Sequence, residues 1–221
     1  MKPEQYEAWY TTPKGAWIGE EEYRLLASLL APNPGETLLD VGCGTGYFTR
    51  QFATDTAERS VVGTDIDMDM LRFAHRHSES SIGFVAADAR HLPFRDKSFD
   101  LVVSVTALCF IHDEKQALSE MLRVARRRVV LGLLNRHSLL YLDKGRNGGR
   151  GAYQGARWHT PAEARQLLDG LQKHCAGLGT VVVVPSGNRW NRRLEPLLRR
   201  WLPRYGAFIA IAADVQPDSR P

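Results

Sequence analysis

The sequence predicts an α/β fold: a seven-stranded, mostly parallel sheet with a last antiparallel strand, sandwiched between two layers of helices. Three observations predict it. From residue 37 to residue 135, near-continuous apolar runs alternate with segments of helical period, the pattern of a parallel sheet covered on both faces. The first run, Leu38 to Val41, ends in glycines at alternating positions, Gly42, Gly44 and Gly46, which lets a strand turn sharply into a helix. Later runs end in acids, Asp65 and Asp88. Right-handed crossovers bring such strand ends to one edge, where open parallel sheets bind ligands.

Residues 1–19 hold Tyr6, Trp9, Tyr10 and Trp17 with the turn formers Pro13, Gly15 and Gly19. That composition suits a segment that wraps the domain or lids a site rather than a core strand. Glu20 to Ala31 reads as an amphipathic helix with Tyr23, Leu26, Ala27 and Leu30 on one stripe, stopped by Pro32-Asn33-Pro34-Gly35. Strands are predicted over 37–41, 60–66, 82–87, 99–105 and 128–134, with helices from Tyr47, over 67–77 and over 113–126 between them. The glycine-dense, basic stretch from Asp143 to Gly151 reads as mobile. Thr160-Pro161-Ala162-Glu163 is a helix start, with a capping threonine, a proline at the first position and a glutamate three residues on; this helix is predicted to run to Lys173. Residues 181–184 and 206–212 read as the sixth and seventh strands. Between them, Leu194, Leu197, Leu198 and Trp201 line a short helix whose other face carries Arg192, Arg193, Arg199 and Arg200. That stripe reads as a packing face or a membrane foot.

With 221 residues, 43% hydrophobic and 24% charged, the chain is long enough to bury a sizeable core. The reading is one domain over 1–215, with 1–31 as an N-terminal lid and helix, 136–160 as a loop insertion and 216–221 as a disordered tail. A net charge of +4 fits nucleic acid, anionic lipid or acidic substrates, and equally a solvated arginine-rich surface. Cys43, Cys109 and Cys175 are widely spaced and match no metal or disulfide pattern, so a reducing cytosol and no metal site are expected, with Cys43 and Cys109 as small apolar fillers. The N-terminus shows no apolar signal core, and no run approaches the roughly 18 apolar residues of a membrane span. A cytoplasmic location is the expectation.

The glycine turn reads G-x-G-x-G and is followed by Tyr47. A dinucleotide turn needs glycine or alanine at that place, and a phosphate loop needs a following Gly-Lys-Ser/Thr. The ligand expected is therefore a nucleoside, but neither a nicotinamide nor a triphosphate. Asp40, just before the turn, can accept from the turn's amides or from a ligand ammonium. Asp65 lies about twenty residues beyond the glycines, where an acid receives ribose hydroxyls. Asp88 can accept from an exocyclic amine. A ribose, an amine and a base are the parts of an adenosyl amino acid.

The stretch Leu38-Leu39-Asp40-Val41-Gly42-Cys43-Gly44-Thr45-Gly46 resembles the first motif of class I S-adenosylmethionine-dependent methyltransferases. Val62 to Leu71 looks like the second, and Asp88 to Ser104 like the third and fourth. The wording is most similar to the methyltransferase type 11, or ubiquinone/menaquinone-biosynthesis-like, branch, over roughly residues 37–135. The resemblance implies a Rossmann-like three-layer sandwich and S-adenosyl-L-methionine as cofactor, with S-adenosyl-L-homocysteine as product. It implies that Gly42, Cys43, Gly44 and Gly46 line the methionyl part and sugar. Asp65 would hold the ribose, Ile66 would lie against the adenine, Asp88 would bond its amine and Ala89 would supply a backbone amide. Ser104 to Cys109 would floor the site, and Tyr10 with Trp9 and Trp17 would close over it or wrap the core. One departure is plain: the family's Lys/Arg-Pro-Gly-Gly turn before strand five is here Ala125-Arg126-Arg127-Arg128.

No catalytic residue stands out. His112, also readable as a capping or surface residue, and His159, which flanks the expected acceptor loop, are candidate proton acceptors; His75, His77 and His91 read as exposed. Methyl transfer needs mainly alignment and exclusion of water, worth about 7–11 kcal/mol, and a general base adds about 10²–10⁴-fold where the acceptor loses a proton. After strand four stands Ser104-Val105-Thr106-Ala107, not the Asp/Asn-Pro-Pro-aromatic motif of amino-methylating nucleic-acid enzymes, and no paired cysteines suit base chemistry. The expected acceptor is a small molecule, lipid-like or quinone-like, chosen by the N-terminal aromatics and the loop insertion at 136–160. The rival reading is a non-catalytic adenosyl-ligand-binding module on the same fold; a nicotinamide dehydrogenase is disfavoured by Tyr47.

Overall fold

Two prolines start the chain's first two helices. Pro3 opens α1 (Pro3–Thr11), and Pro13 opens α2 (Pro13–Leu30), whose cap Thr12 accepts a hydrogen bond from the Gly15 amide at 3.0 Å. The computed structural model describes residues 2–54, 60–171 and 173–215; the tail expected at 216–221 lies outside them. Residues 3–11 and 13–19 are thus helical, in the segment expected to wrap the domain or lid a site. Gly15 and Gly19 sit in α2 because neighbours crowd them: a Cβ would lie 2.0 Å from the Trp9 carbonyl oxygen and 2.6 Å from the Tyr47 hydroxyl, respectively.

The remaining elements follow as β1 (Leu38–Val41), α3 (Tyr47–Thr54), β2 (Val61–Asp65), α4 (Met68–Arg76), β3 (Gly83–Ala86), β4 (Phe99–Val105), α5 (Glu114–Val124), β5 (Ala125–Leu134), α6 (Pro161–Asp169), β6 (Cys175–Val181), α7 (Arg189–Trp201) and β7 (Phe208–Asp214). The sheet order is β3-β2-β1-β4-β5-β7-β6. Strands β1 to β5 pair in parallel, and β7 runs antiparallel to both β5 and β6. This is the predicted α/β, Rossmann-like sandwich. Leu39, Val41, Val102, Leu131 and Leu133 bury one face of the sheet with Leu118 and Met121 of α5. Leu38, Leu101, Val103 and Val130 bury the other with Leu26 and Leu30 of α2 and Phe52 of α3. Among the described residues, no helix is long and apolar enough to cross a membrane.

Three other departures from expectation have physical causes. Strand β6 lies at Cys175–Val181, not 181–184. Gly177 and Gly179 hide it in the sequence, yet each makes room for α2: a Cβ would lie 2.8 Å from Leu29 at the first and 2.8 Å from Leu25 at the second. The stretch read as mobile, 143–151, forms short helical turns, with Gly145 against Tyr141 and Trp158. Finally, α5 passes into β5 with no turn between them. In place of the missing turn, Arg126 pairs with Asp100 at 3.2 Å, Arg127 with Glu36 at 2.6 Å and Arg128 with Asp214 at 2.7 Å. Arg127 also donates to the Leu30 and Ala31 carbonyls, closing the end of α2.

Candidate functional site: the strand-end cavity and its neighbour

The glycine turn is pinned to the end of β2. The Gly42 and Cys43 amides donate to the Thr64 carbonyl at 2.7 and 2.9 Å. Gly42 has φ +77°, and a Cβ there would lie 2.2 Å from that of Ala107, so only glycine lets the loop after β4 come this close. Gly44, at φ +54°, has nothing within 4 Å of where its Cβ would stand, and its backbone faces open space. The Gly44 amide donates to Asp65 Oδ2 at 2.8 Å, and the Asp67 amide to Asp65 Oδ1 at 2.9 Å. Each Asp65 oxygen therefore keeps a lone pair for a ligand hydroxyl.

A cavity of about 420 Å³ opens at this edge, lined among others by Gly42, Asp65, Ile66, Asp88, Ala89 and Arg90. Ile66 is 69% exposed, an apolar side chain held out beside the acids. Asp88 is gripped by Arg90, whose Nε and Nη2 lie 3.0 and 2.6 Å from its two oxygens. The Arg90 side chain and then its amide hold the Asp88 carboxyl down at about 2, so it is ionised. The donor set is carboxylates, open glycine backbone and a flat apolar surface, and it fits an adenosyl group better than a metal; among the described residues no cluster of metal ligands occurs.

Residues 39–131 match the model of the Methyltransferase domain family. This stretch carries a methyltransferase domain. The chain is similar to the demethylmenaquinone methyltransferase of Renibacterium salmoninarum, at 39% identity over 103 residues, 47% of this chain and 42% of the relative. The chain thus spans under half the length of that relative. Its fold is similar to an S-adenosylmethionine-dependent methyltransferase of Thermotoga maritima described as a possible histamine N-methyltransferase, with a TM-score of 0.74 and 21% identity over 96% of this chain and 95% of that one. It is also similar to magnesium protoporphyrin IX methyltransferase from Synechocystis with bound S-adenosylhomocysteine, with a TM-score of 0.68 and 18% identity over 96% and 93%.

In the methyltransferase domain, several residues expected at the cofactor stand elsewhere. Asp40 lies wholly buried beneath the turn: Oδ2 accepts from the Thr49 hydroxyl at 2.6 Å and Oδ1 has no partner. Burial pushes its carboxyl up to about 7 despite the Thr49 bond, and the charge of Asp65 adds to the shift. Ser104 is buried within β4 with its hydroxyl unpartnered and does not line the cavity; Val105, Thr106, Ala107 and Phe110 form that wall instead. Gly46 packs toward Ala74 and Phe84. Burial pushes the thiols of Cys43 and Cys109 up, so both stay protonated fillers. His112 lines the cavity. His159 does not: it is buried, with Nε2 3.0 Å from Glu114.

Tyr10 stacks on Tyr47 with ring centroids 3.7 Å apart and lines a second cavity, not the first. This neighbour, of about 340 Å³, is walled by Trp9, Tyr10, Ile18, Leu140 and Tyr153, and it contains Glu22. Tyr6, Thr106 and Phe110 belong to both cavities. Thr106 holds φ +56°, a strained conformation for a β-branched residue and one that concentrates at functional sites. Helix α1, which carries Tyr6, is tied to the turn by Arg50. This side chain pairs with Glu7 and also donates to the Thr45 carbonyl at 2.7 Å. Tyr6 and Glu22 carried no motif, and only the aromatic density of residues 1–19 hinted at the first.

Proposed function

We propose that the protein transfers a methyl group from S-adenosylmethionine to a small, ring-bearing acceptor held in the second cavity, with Glu22 receiving the acceptor's proton. The observation that carries this reading is the shared wall of Tyr6, Thr106 and Phe110 between the two cavities. When bound, the cofactor supplies an activated methyl on a sulfonium that an acceptor atom displaces in line. Asp65 receives the ribose hydroxyls, Asp88 the adenine amine, and the open backbone at Gly44 leaves room for the methionyl chain. Enclosure by aromatic side chains excludes water and orients a flat acceptor, the largest contribution such a reaction needs.

Glu22 has no hydrogen bond or ion pair among the described residues, and burial raises its carboxyl to about 8. An acid so poised exchanges protons near neutral pH. Lys14 and Lys144 are the cations that line the same cavity. The apolar lining and the similarity to a demethylmenaquinone methyltransferase support a quinone-like or lipid-like acceptor over nucleic acid. The test is twofold. S-adenosylmethionine or S-adenosylhomocysteine should raise the melting temperature while NAD does not. Isotope-labelled methyl should then pass to a small apolar compound in a metabolite extract, as read by mass spectrometry. Binding without transfer to any pool would reduce the protein to an adenosyl-ligand-binding module.

A further inference from the structure

Helix α7 is amphipathic the wrong way round for a packed helix. Its inward side is polar. Glu195 is 1% exposed and accepts hydrogen bonds from the amides of Val182 at 2.6 Å and Val183 at 3.1 Å. Arg192 lies over the Trp17 ring and donates to the Pro13 carbonyl at 2.6 Å, and Arg199 reaches Glu21 at 3.5 Å. These contacts fix the rotation of the helix about its axis. The outward side is apolar. Trp190, Leu194, Leu197 and Trp201 are spaced by four, three and four residues and so form one stripe. They are 71%, 45%, 53% and 75% exposed. Contiguous exposed side chains of this size mark an interaction surface.

The charge beside the stripe identifies the occupant. Arg189, Arg193 and Arg200 run along one flank, exposed and with no acidic partner among the described residues, and exposed Arg204 follows the helix. In a two-fold contact between copies of this chain, both rows of unpaired guanidinium groups would face like charge. An anionic bilayer satisfies both halves of the surface: indole and leucine side chains enter the acyl boundary while arginines meet headgroup phosphates. We infer that α7 is an interfacial helix by which the protein seats on anionic lipid membranes. The inference stands independently of what the two cavities bind. The second cavity, lined by Val182 and Pro185, lies beside the strand end that Glu195 holds.

The experiment is flotation of the full chain with vesicles of phosphatidylcholine alone or mixed with phosphatidylglycerol. Binding is expected to the mixed vesicles only, falling as salt is raised, with a blue shift of tryptophan emission. The double variant Leu194→Ser/Leu197→Ser keeps the charge and should bind about tenfold more weakly, while S-adenosylhomocysteine still raises its melting temperature. Three results would overturn the inference: no binding of the parent chain to anionic vesicles, binding that the serine variant leaves unchanged, or a dimer in sedimentation equilibrium that the serine substitutions dissociate without any vesicle binding.

Discussion

The Gly44 amide donates to Asp65 at 2.8 Å across the gap between β1 and β2, so the glycine turn and the acid of the next strand are one rigid unit. Asp65→Ala should weaken S-adenosylhomocysteine binding by about 1.5–3 kcal/mol, or roughly 10–150-fold in Kd, because bonds to a charged acceptor are lost. Circular dichroism should show a folded chain. Unchanged affinity by calorimetry would reject the ribose role.

At Gly42 the turn has no room to spare. Gly42→Ala meets both a φ of +77° and a 2.2 Å approach to Ala107. A loss of about 1–3 kcal/mol in urea denaturation is expected, with cofactor affinity falling alongside. Full stability in the variant would show that the loop after β4 yields freely.

Glu22 and Asp40 set a pH dependence. Burial raises the first carboxyl to about 8 and the second to about 7. Both hold protons more tightly in the folded chain than in the unfolded one. Folding therefore takes up protons above the ordinary carboxylate range, and stability should decline as pH rises towards 8. Glu22→Gln and Asp40→Asn should each flatten that decline in melting scans. In catalysis, kcat/KM should climb with pH to a plateau above about 8. Glu22→Gln should lose this limb together with about 10²–10⁴ in kcat, while S-adenosylhomocysteine affinity stays as it was.

Glu195→Ala strips the partners from two buried amides, those of Val182 and Val183. The expected cost is about 1–3 kcal/mol of unfolding free energy. Glu195→Gln, which keeps an acceptor oxygen, should recover much of it. Equal losses in the two variants would show that the amides are not what the side chain serves.

The strand-end cavity was legible because its signals are local. Three glycines within five residues, and acids closing consecutive strands, follow from chain geometry alone, and Gly42, Asp65 and Asp88 stand together at the cavity. The second cavity depends on contacts between distant segments. Tyr6 and Glu22 acquire their setting only when α1 and α2 fold over the sheet. Gly177 and Gly179 read as loop residues because the side chains that require them, Leu29 and Leu25, come from α2. The stripe on α7 was legible as a stripe. Which way it faced was not, because the contacts of Glu195, Arg192 and Arg199 with distant segments fix the rotation.

Arg50 holds Glu7 of α1 and the Thr45 carbonyl of the glycine turn at once, and Tyr10 stacks on Tyr47 one residue past that turn. The helix that walls the second cavity is therefore tied to the glycine turn beside the first. A shift of the turn would be passed to the helix that carries Tyr6, and the linkage would run equally in reverse. Two cavities joined this way share a strut, a guanidinium group that lines neither of them.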